Sequence, residues 1–472
     1  MFKRILIANR GECAIRIMRT CRELDIETVA IYSETDCFSL HVKKADQAVV
    51  IGPDPVRSYL NIHRIIDIAL KTGCEAVHPG YGFLSENADF ARKVVAAGLA
   101  YIGPSADAIE NMGDKTKAKT AMIEANVPVV PGSDGSLKNF DQATKLAKGM
   151  GYPVMLKAAA GGGGRGIRRC DNEKQLEENF PMAQREAMAA FGDASVFMEK
   201  CIVQPRHIEF QILADSHGKT VHLFERDCSI QRRHQKLIEI APSNTLTPDA
   251  REEMGAAAVR AAQAVGYVNA GTVEFLVDLD QNYYFMEMNT RLQVEHPITE
   301  AIAGVDIVAE QIHIAAGLPL SIRQEDIQIN GHAIEFRINA EDPQNNFLPT
   351  PGRITRYISA GGPGIRVDGA VYAGYVIPPD YDSMCAKLTV WGKTWEQTIR
   401  RSRRALDEYD IRGVRTTLPF YRNIAASQEF ASGGFYTSFI DEHPELLDYQ
   451  IYNPRESIAA AVAATIAANA GL

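Results

Sequence analysis

The chain's 472 residues suffice for two or three domains with a substantial core. Fifty Lys and Arg stand against 59 Asp and Glu, a net charge of −9, which excludes a global attraction to nucleic acid and makes any anion site local. No apolar run of about 18 residues exists, and the apolar stretch after Met1 is too short for a secretory signal, so neither a membrane span nor secretion is expected. The eight cysteines (13, 21, 37, 74, 170, 201, 228 and 385) show no CxxC or Cys–His spacing, which argues against zinc and against a disulfide framework and predicts a reducing, cytoplasmic setting.

In chain order, Arg4 to Ala8 reads as a buried strand, Gly11 and Glu12 turn the chain, Ala14 to Leu24 has helical periodicity, and Thr28 to Tyr32 returns as a strand. This βαβ start lacks a GxGxxG fingerprint, so a dinucleotide site is not indicated. A third strand, Glu75 to Val77, leads into His78-Pro-Gly-Tyr-Gly-Phe-Leu-Ser-Glu86, a turn-rich loop where doubly wound sheets place ligands. A boundary falls near Met112-Gly-Asp-Lys115. Lys117 to Asn126 is a helix, Pro128 to Gly135 a Pro/Gly-rich hinge, and Pro131 to about Val203 a smaller α+β unit expected to act as a mobile lid. Strands resume at Arg206, and a mixed block follows residue 325. Asn453-Pro454-Arg455-Glu456 carries an N-cap and a Pro at the first helical position, and should open an Ala-rich helix striped by Ile458, Val462 and Ile466. The expected divisions are therefore 1–113, 114–325 with its lid at about 131–203, 326–447, and a tail 448–472.

The densest chemistry lies between Gly271 and His296. Two runs of β-formers flank Leu279 to Asn282, predicting a hairpin; pairing Asp278 with Tyr283 sets Glu274 opposite Glu287 and puts Phe275 and Val277 with Tyr284 and Met286 on an apolar face. Opposed carboxylates are destabilising unless a hard cation sits between them, or unless the register slips and separates them. Beyond them, alternate positions Glu287, Asn289, Arg291, Gln293 and Glu295 are all polar. In the lid unit, Lys157 precedes a run of four glycines that includes Gly162, Gly163 and Gly164, with Arg165 at its rim: backbone N–H groups that no Cβ obstructs, plus fixed positive charge, suit a phosphate. Glu199-Lys200-Cys201-Ile202 leaves the lid and offers its main chain to an adenine edge, or is a solvated pair. His207 and Glu209 share a strand face and reach for ribose or phosphate, or His207 is a satisfied core residue. Gln231-Arg-Arg-His234-Gln-Lys236 is a basic patch in an acidic chain, either surface or anion site.

Together these residues resemble the ATP-grasp superfamily and, within it, biotin carboxylases. The likeness covers residues 1 to about 447 and is carried by Asn9-Arg-Gly-Glu12, His78 to Glu86, Met112-Gly-Asp-Lys115, the glycine loop, Glu225-Arg-Asp227, Gln231 to Lys236, Glu287 to His296 and Arg337-Ile-Asn-Ala-Glu-Asp-Pro343. The fold class implied is α/β and α+β: an ATP-grasp fold with an N-terminal doubly wound domain, a small lid and a C-terminal mixed domain. The resemblance implies that Lys115, Lys157, Gly162, Gly163, Gly164, Glu199, Lys200, Ile202, His207, Gln231 and His234 bind ATP. It further implies that Glu274, Glu287 and Asn289 hold Mg²⁺, with Mn²⁺ as the alternative metal, and that Lys236, Arg291, Gln293 and Val294 position bicarbonate. Glu295 would be the base, Arg337 would stabilise the biotin enolate, and Tyr81 and Asp382 would hold biotin or support a subunit interface.

No Ala-Met-Lys-Met biotinylation motif follows residue 447, so biotin is expected on a separate partner, either a biotin carboxyl carrier protein or a biotinylated carboxyltransferase subunit. A homodimer within a larger complex is implied, without nucleic acid or membrane. The Ala-rich end and the Tyr375-Val-Ile-Pro-Pro-Asp-Tyr381 region look most like the biotin carboxylase component of two-subunit pyruvate carboxylases, with acetyl-CoA, propionyl-CoA and 2-oxoglutarate systems as alternatives. The competing readings are another ATP-grasp acyl-phosphate ligase and a non-catalytic nucleotide-binding subunit. The Arg337 run disfavours the first, and the presence of Glu295 and Arg337 disfavours the second.

Overall fold

A computed structural model of the chain describes residues 1–133, 135–158, 167–191 and 193–449, together with Val462 and Thr465. Five parallel strands open it: β1 (Arg4–Ile7), β2 (Glu27–Ser33), β3 (Gln47–Gly52), β4 (Ala76–His78) and β5 (Ala100–Tyr101), in the order β3-β2-β1-β4-β5. The strand order reverses between β1 and β4, and their carboxyl ends release the Asn9–Glu12 and His78–Glu86 segments into one crevice. β1 is covered on both faces: Ile5 and Ile7 join one core and Leu6 and Ala8 another, which is why it reads as an unbroken apolar run. The run at Glu75 is the fourth strand, not the third. β3 lies at the sheet edge with only Ile51 fully buried, so it carries no alternation by which to find it.

The lid unit is a three-stranded antiparallel sheet, β6 (Val154–Ala158), β7 (Ile167–Cys170) and β8 (Val196–Lys200) in the order β7-β6-β8, with helices Phe140–Met150 and Glu173–Phe191. It has a core of its own around Leu137, Val154, Leu156, Phe180 and Met198. The Pro/Gly-rich segment before it is stitched at both ends. Pro128 O accepts from Phe285 N (2.7 Å), while Pro131 O accepts from Lys200 N and Ser133 N donates to Met198 O (2.8 Å each). Gly132 is needed at this root because a Cβ there would lie 2.6 Å from Met198 O.

The body is one eight-stranded antiparallel sheet built from β9 (Arg206–Ala214), β10 (Thr220–Arg232), β11 (Gln235–Ala241), β12 (Asn269–Val277), β13 (Tyr283–Asn289), β14 (His332–Asn339), β15 (Ile365–Gly369) and β16 (Met384–Gly392), ordered β13-β12-β9-β10-β11-β14-β16-β15. The β11–β14 ladder, with Glu239 opposite Glu335, carries the sheet across residue 325 without a break. Ile208, Phe210, Phe275 and Val277 bury one face of its first half with the small residues of helix Pro248–Ala264.

The hairpin expected around Leu279 to Asn282 forms, with Glu274 opposite Glu287. The pairing of Asp278 with Tyr283 does not: Val277 faces Tyr283, and Asp278 N donates to Asn282 O at 2.9 Å. A register shift between Glu274 and Phe275 leaves Met286 as an extra residue, a β-bulge. Tyr283 and Phe285 therefore join Phe275 and Val277 in the core, and Met286, expected there, is exposed. The Gly161–Gly166 loop lies outside the described residues, as does the tail helix expected from Asn453 except for Val462 and Thr465, both helical and exposed. Among the described residues no helix is long and apolar enough to cross a membrane.

Candidate active site

Alternation along β9, β12 and β13 sends their apolar residues to the core and stacks acids on the opposite face. Glu287, Glu274 and Glu209 fall in a single row across three strands, and Arg226 of β10 continues it. Such a row survives burial only if cations interleave with it. Lys236 Nζ supplies one, bonding Glu209 and lying 3.0 Å from Glu274 Oε1 and 2.7 Å from Glu295 Oε1. Arg226, fully buried, supplies another, with Nε 2.5 Å from Glu209 Oε1 and its remaining nitrogens on Gln211, Thr272 and Thr299. Glu274 Oε1 also accepts from Asn289 Nδ2 (2.7 Å) and Gln293 Nε2 (3.1 Å). His207 Nε2 lies 2.8 Å from Glu274 Oε2 but outside hydrogen-bonding geometry.

Glu295 sits just before helix His296–Ala303, fully buried, its two oxygens divided between Lys236 and Arg337 Nη2 (2.8 Å). Arg337 Nε in turn holds Glu239 Oε1 at 2.5 Å. Burial alone would raise the Glu295 carboxyl, yet Lys236, Arg337 and Arg226 hold it well below the usual range. Glu274 behaves likewise: burial raises it, and Lys236 and His207 more than reverse that. Glu287, on the outer side of the row, goes the other way, raised by burial and by the facing Glu274. The row is thus neutralised on the Lys236 side, while at Glu287 burial and the facing acid outweigh the cations that reach it, His207, Lys115 and Lys236.

That asymmetry decides where a cation fits. His207, Glu209 and Glu274 bring one ligand atom each within 4.8 Å of one another, but Lys236 already stands among the carboxylates there. The open side, between Glu274, Glu287 and Asn289 Oδ1, offers oxygen donors to a hard divalent ion. Arg291 braces it: Nη2 donates to Asn289 Oδ1 (2.9 Å), Nη1 to Gln293 Oε1 (3.4 Å), and Nε to Glu86 Oε2 (2.9 Å) from the His78–Glu86 loop. Lys236, Arg291, Gln293, Glu295 and Arg337 are therefore brought together with the Glu274–Glu287 pair.

The remaining expected residues scatter around this centre. Lys115 opens helix Lys115–Glu124, exposed, and its charge acts on Glu287. Lys157 Nζ is paired with Glu199 Oε2 at 2.5 Å across the lid sheet, and Lys200 Nζ donates to Gly151 O (2.9 Å) and Tyr152 O (3.2 Å). The N–H groups of Lys200 and Cys201 are already used by Pro131 O and Pro153 O, so a ligand edge finds no free backbone donor at these two residues. Gln231 is buried at the end of β10, and His234 is exposed at the β10–β11 turn with φ +65. Val294 O accepts from Lys387 Nζ, over which the Tyr81 ring lies at 5.6 Å. Asp382 stands apart, exposed and capping Met384 N at 2.9 Å.

Glu86, Arg226, Glu239, Glu335 and Lys387 also belong to this network, although sequence reasoning gave none of them a role. A signal existed for Glu335: in β14 the odd positions Glu335, Arg337 and Asn339 alternate with Ile334, Phe336 and Ile338. None existed for Glu239, a charge among Leu237, Ile238 and Ile240, or for Lys387, the single charge of its strand. What the arrangement can do is hold a metal-bound polyanion beside Glu287, grip a small anion with Lys236 and Arg291, and present Glu295 as a proton acceptor.

Residues 1–109 match the biotin carboxylase N-terminal domain, residues 114–323 the ATP-binding domain of the carbamoyl-phosphate synthase L chain, and residues 335–442 the biotin carboxylase C-terminal domain. The chain is 54% identical over 472 residues, 100% of each protein, to the 2-oxoglutarate carboxylase small subunit of Hydrogenobacter thermophilus. It is 54% identical over 445 residues, 94% of this chain and 99% of the other, to biotin carboxylase 1 of Bacillus subtilis. The crystal structure of the Hydrogenobacter thermophilus 2-oxoglutarate carboxylase biotin carboxylase domain dimer, in complex with MgADP, ADP and bicarbonate, matches with a TM-score of 0.89 and 55% identity over 96% of this chain and 100% of that one. The crystal structure of the biotin carboxylase component of a pyruvate carboxylase matches with a TM-score of 0.87 and 55% identity over 96% of this chain and 100% of that one.

Proposed function

The chain belongs to the biotin carboxylase family of ATP-grasp ligases, and on that premise we propose that it carboxylates biotin on a separate carrier protein, using ATP and bicarbonate through carboxyphosphate. The observation that carries this reading is the division of buried Glu295 between Lys236 and Arg337, next to the Glu274–Glu287 pair. Bicarbonate is a weak nucleophile until deprotonated. As it binds, its oxygens compete with Glu295 for Lys236, so the carboxylate loses part of the charge that depresses its proton affinity and becomes the base. Lys236 and Arg291 then neutralise the dianion, with Gln293 and Val294 fixing its orientation. Mg²⁺ held by Glu274, Glu287 and Asn289 would neutralise the γ-phosphate under attack. Arg337 meets the charge that develops on the ureido oxygen of biotin, the N1′ proton passing to the phosphate released from carboxyphosphate. The lid, with Lys157 and Glu199 on its sheet, covers the phosphates and excludes water from an acyl phosphate that hydrolyses readily.

The partner we propose is a biotinylated carrier protein or carboxyltransferase, and the assembly a homodimer within a two-subunit carboxylase. The acceptor is a 2-oxo acid: pyruvate on the sequence reading, with 2-oxoglutarate as the second, favoured by an alignment that runs over the whole chain, Ala-rich end included. All eight cysteines are free thiols, which supports a reducing cytoplasm. The test is ADP release by the purified protein and by Glu295→Gln with Mg-ATP and bicarbonate, with and without free biotin. Strong stimulation by biotin, lost by about 10²–10⁴-fold in the variant while nucleotide still binds, is the expected result. Turnover indifferent to biotin would instead favour another ATP-grasp ligase.

A further inference from the structure

The Asn9-Arg-Gly-Glu12 segment has no part in the chemistry above, yet its Glu12 is buried against the site. Lys387, on β16, is likewise fully buried. Its ammonium donates to Val294 O at 2.6 Å, lies 3.5 Å from Glu12 Oε2 and stands 5.6 Å from the centre of the Tyr81 ring. A buried lysine is expensive to keep charged, and here Glu12, Glu335 and Asp368 keep it so. Both Glu12 oxygens lack a hydrogen-bond partner, so the short contact Lys387 makes is the one to the Val294 carbonyl. That carbonyl belongs to the turn presenting Gln293 on one side and Glu295 on the other, and His296 Nδ1 closes the same turn against Gln293 O at 2.7 Å.

We propose that Lys387 is a positioning residue for bicarbonate: from behind the Gln293–Val294–Glu295 turn it pins the Val294 carbonyl, thereby aiming the Gln293 amide and the Glu295 carboxylate into the cleft, with Glu12 as its counter-charge. The three groups come from three parts of the chain, the N-terminal sheet's first helix, the turn after β13 and β16, so the turn is set only when these are docked together. A second consequence is selective. ATP is held by other residues, so loss of Lys387 weakens bicarbonate use and spares nucleotide binding.

The inference rests on the biotin carboxylase reading, and biotin-stimulated ADP release by the wild-type protein tests that reading separately before any variant is compared. The variants are Lys387→Met, which keeps the stem and removes the donor, and Lys387→Met with Glu12→Gln, which also removes the stranded acid so that the fold does not bury an unpaired charge. In both, bicarbonate KM is expected to rise at least about tenfold while ATP KM stays within about twofold. If the double variant regains the wild-type bicarbonate KM, Lys387 serves only to neutralise Glu12 and the proposal is wrong. An equal rise in both KM values would overturn it too, since that is general damage to the cleft.

Discussion

Lys236 is the residue on which the site turns. It is one ammonium among three carboxylates, and although burial opposes its charge, Glu209, Glu274 and Glu295 raise it well above the usual lysine range. Removing it would take the shared ammonium from three buried acids at once, leaving Glu209 to Arg226, Glu295 to Arg337 and Glu274 to its amide donors, so the site cannot be dissected by deleting it alone. Glu12 is more tractable. Burial pushes its carboxyl up to about 7, with Lys387 opposing and Asp368 adding to the rise. A carboxyl whose pKa is higher folded than unfolded binds more protons in the native state between the two values. Its contribution is therefore fully present below about pH 4.5 and is lost as pH rises through about 7, a swing of about 3 kcal/mol. Glu12→Gln lacks that slope, so its melting temperature relative to wild type should climb between pH 5 and pH 8. A difference that stays flat across this range would show that Glu12 titrates normally.

At the scale of elements, what could be read in advance was whatever alternation or turn chemistry reports locally. Glu274 opposite Glu287 was legible because the turn signal and two strand runs fix a pairing. The bulge at Met286 was not, because nothing in Tyr283-Tyr-Phe-Met-Glu287 says which residue is surplus; the decision belongs to Phe275 and the helix beneath it, which accept Phe285 and Tyr283. Likewise β3 was invisible as an exposed edge, and Glu239 and Lys387 were hidden because a charge set among apolar strand residues acquires its meaning only from the strands beside it. The bulge makes a measurable difference. Phe285→Ala should cost about 3–5 kcal/mol, as a buried ring does, and Met286→Ala under about 1 kcal/mol. Denaturant titration that ranked them the other way would restore the unbulged register.

At the scale of the molecule, the eight-stranded sheet matters more than any division of the chain drawn on its sequence. β11 is hydrogen-bonded to β14, so the carboxylates of one half and Arg337 of the other share a single scaffold. A chain ended at residue 325 would expose the edge of β11, and it should aggregate and run in the void of a sizing column. A well-behaved monomer or dimer from that truncation would mean the halves fold independently. The lid is built on the opposite plan. Its incoming segment, Pro131 to Ser133, and its outgoing one, Met198 to Lys200, are hydrogen-bonded side by side, and its core is its own. A cassette attached through one such pair of neighbouring segments can be lengthened, exchanged or grafted by recombination without disturbing the register of the scaffold it sits on, so evolution is free to retune this unit while the row of acids below stays fixed.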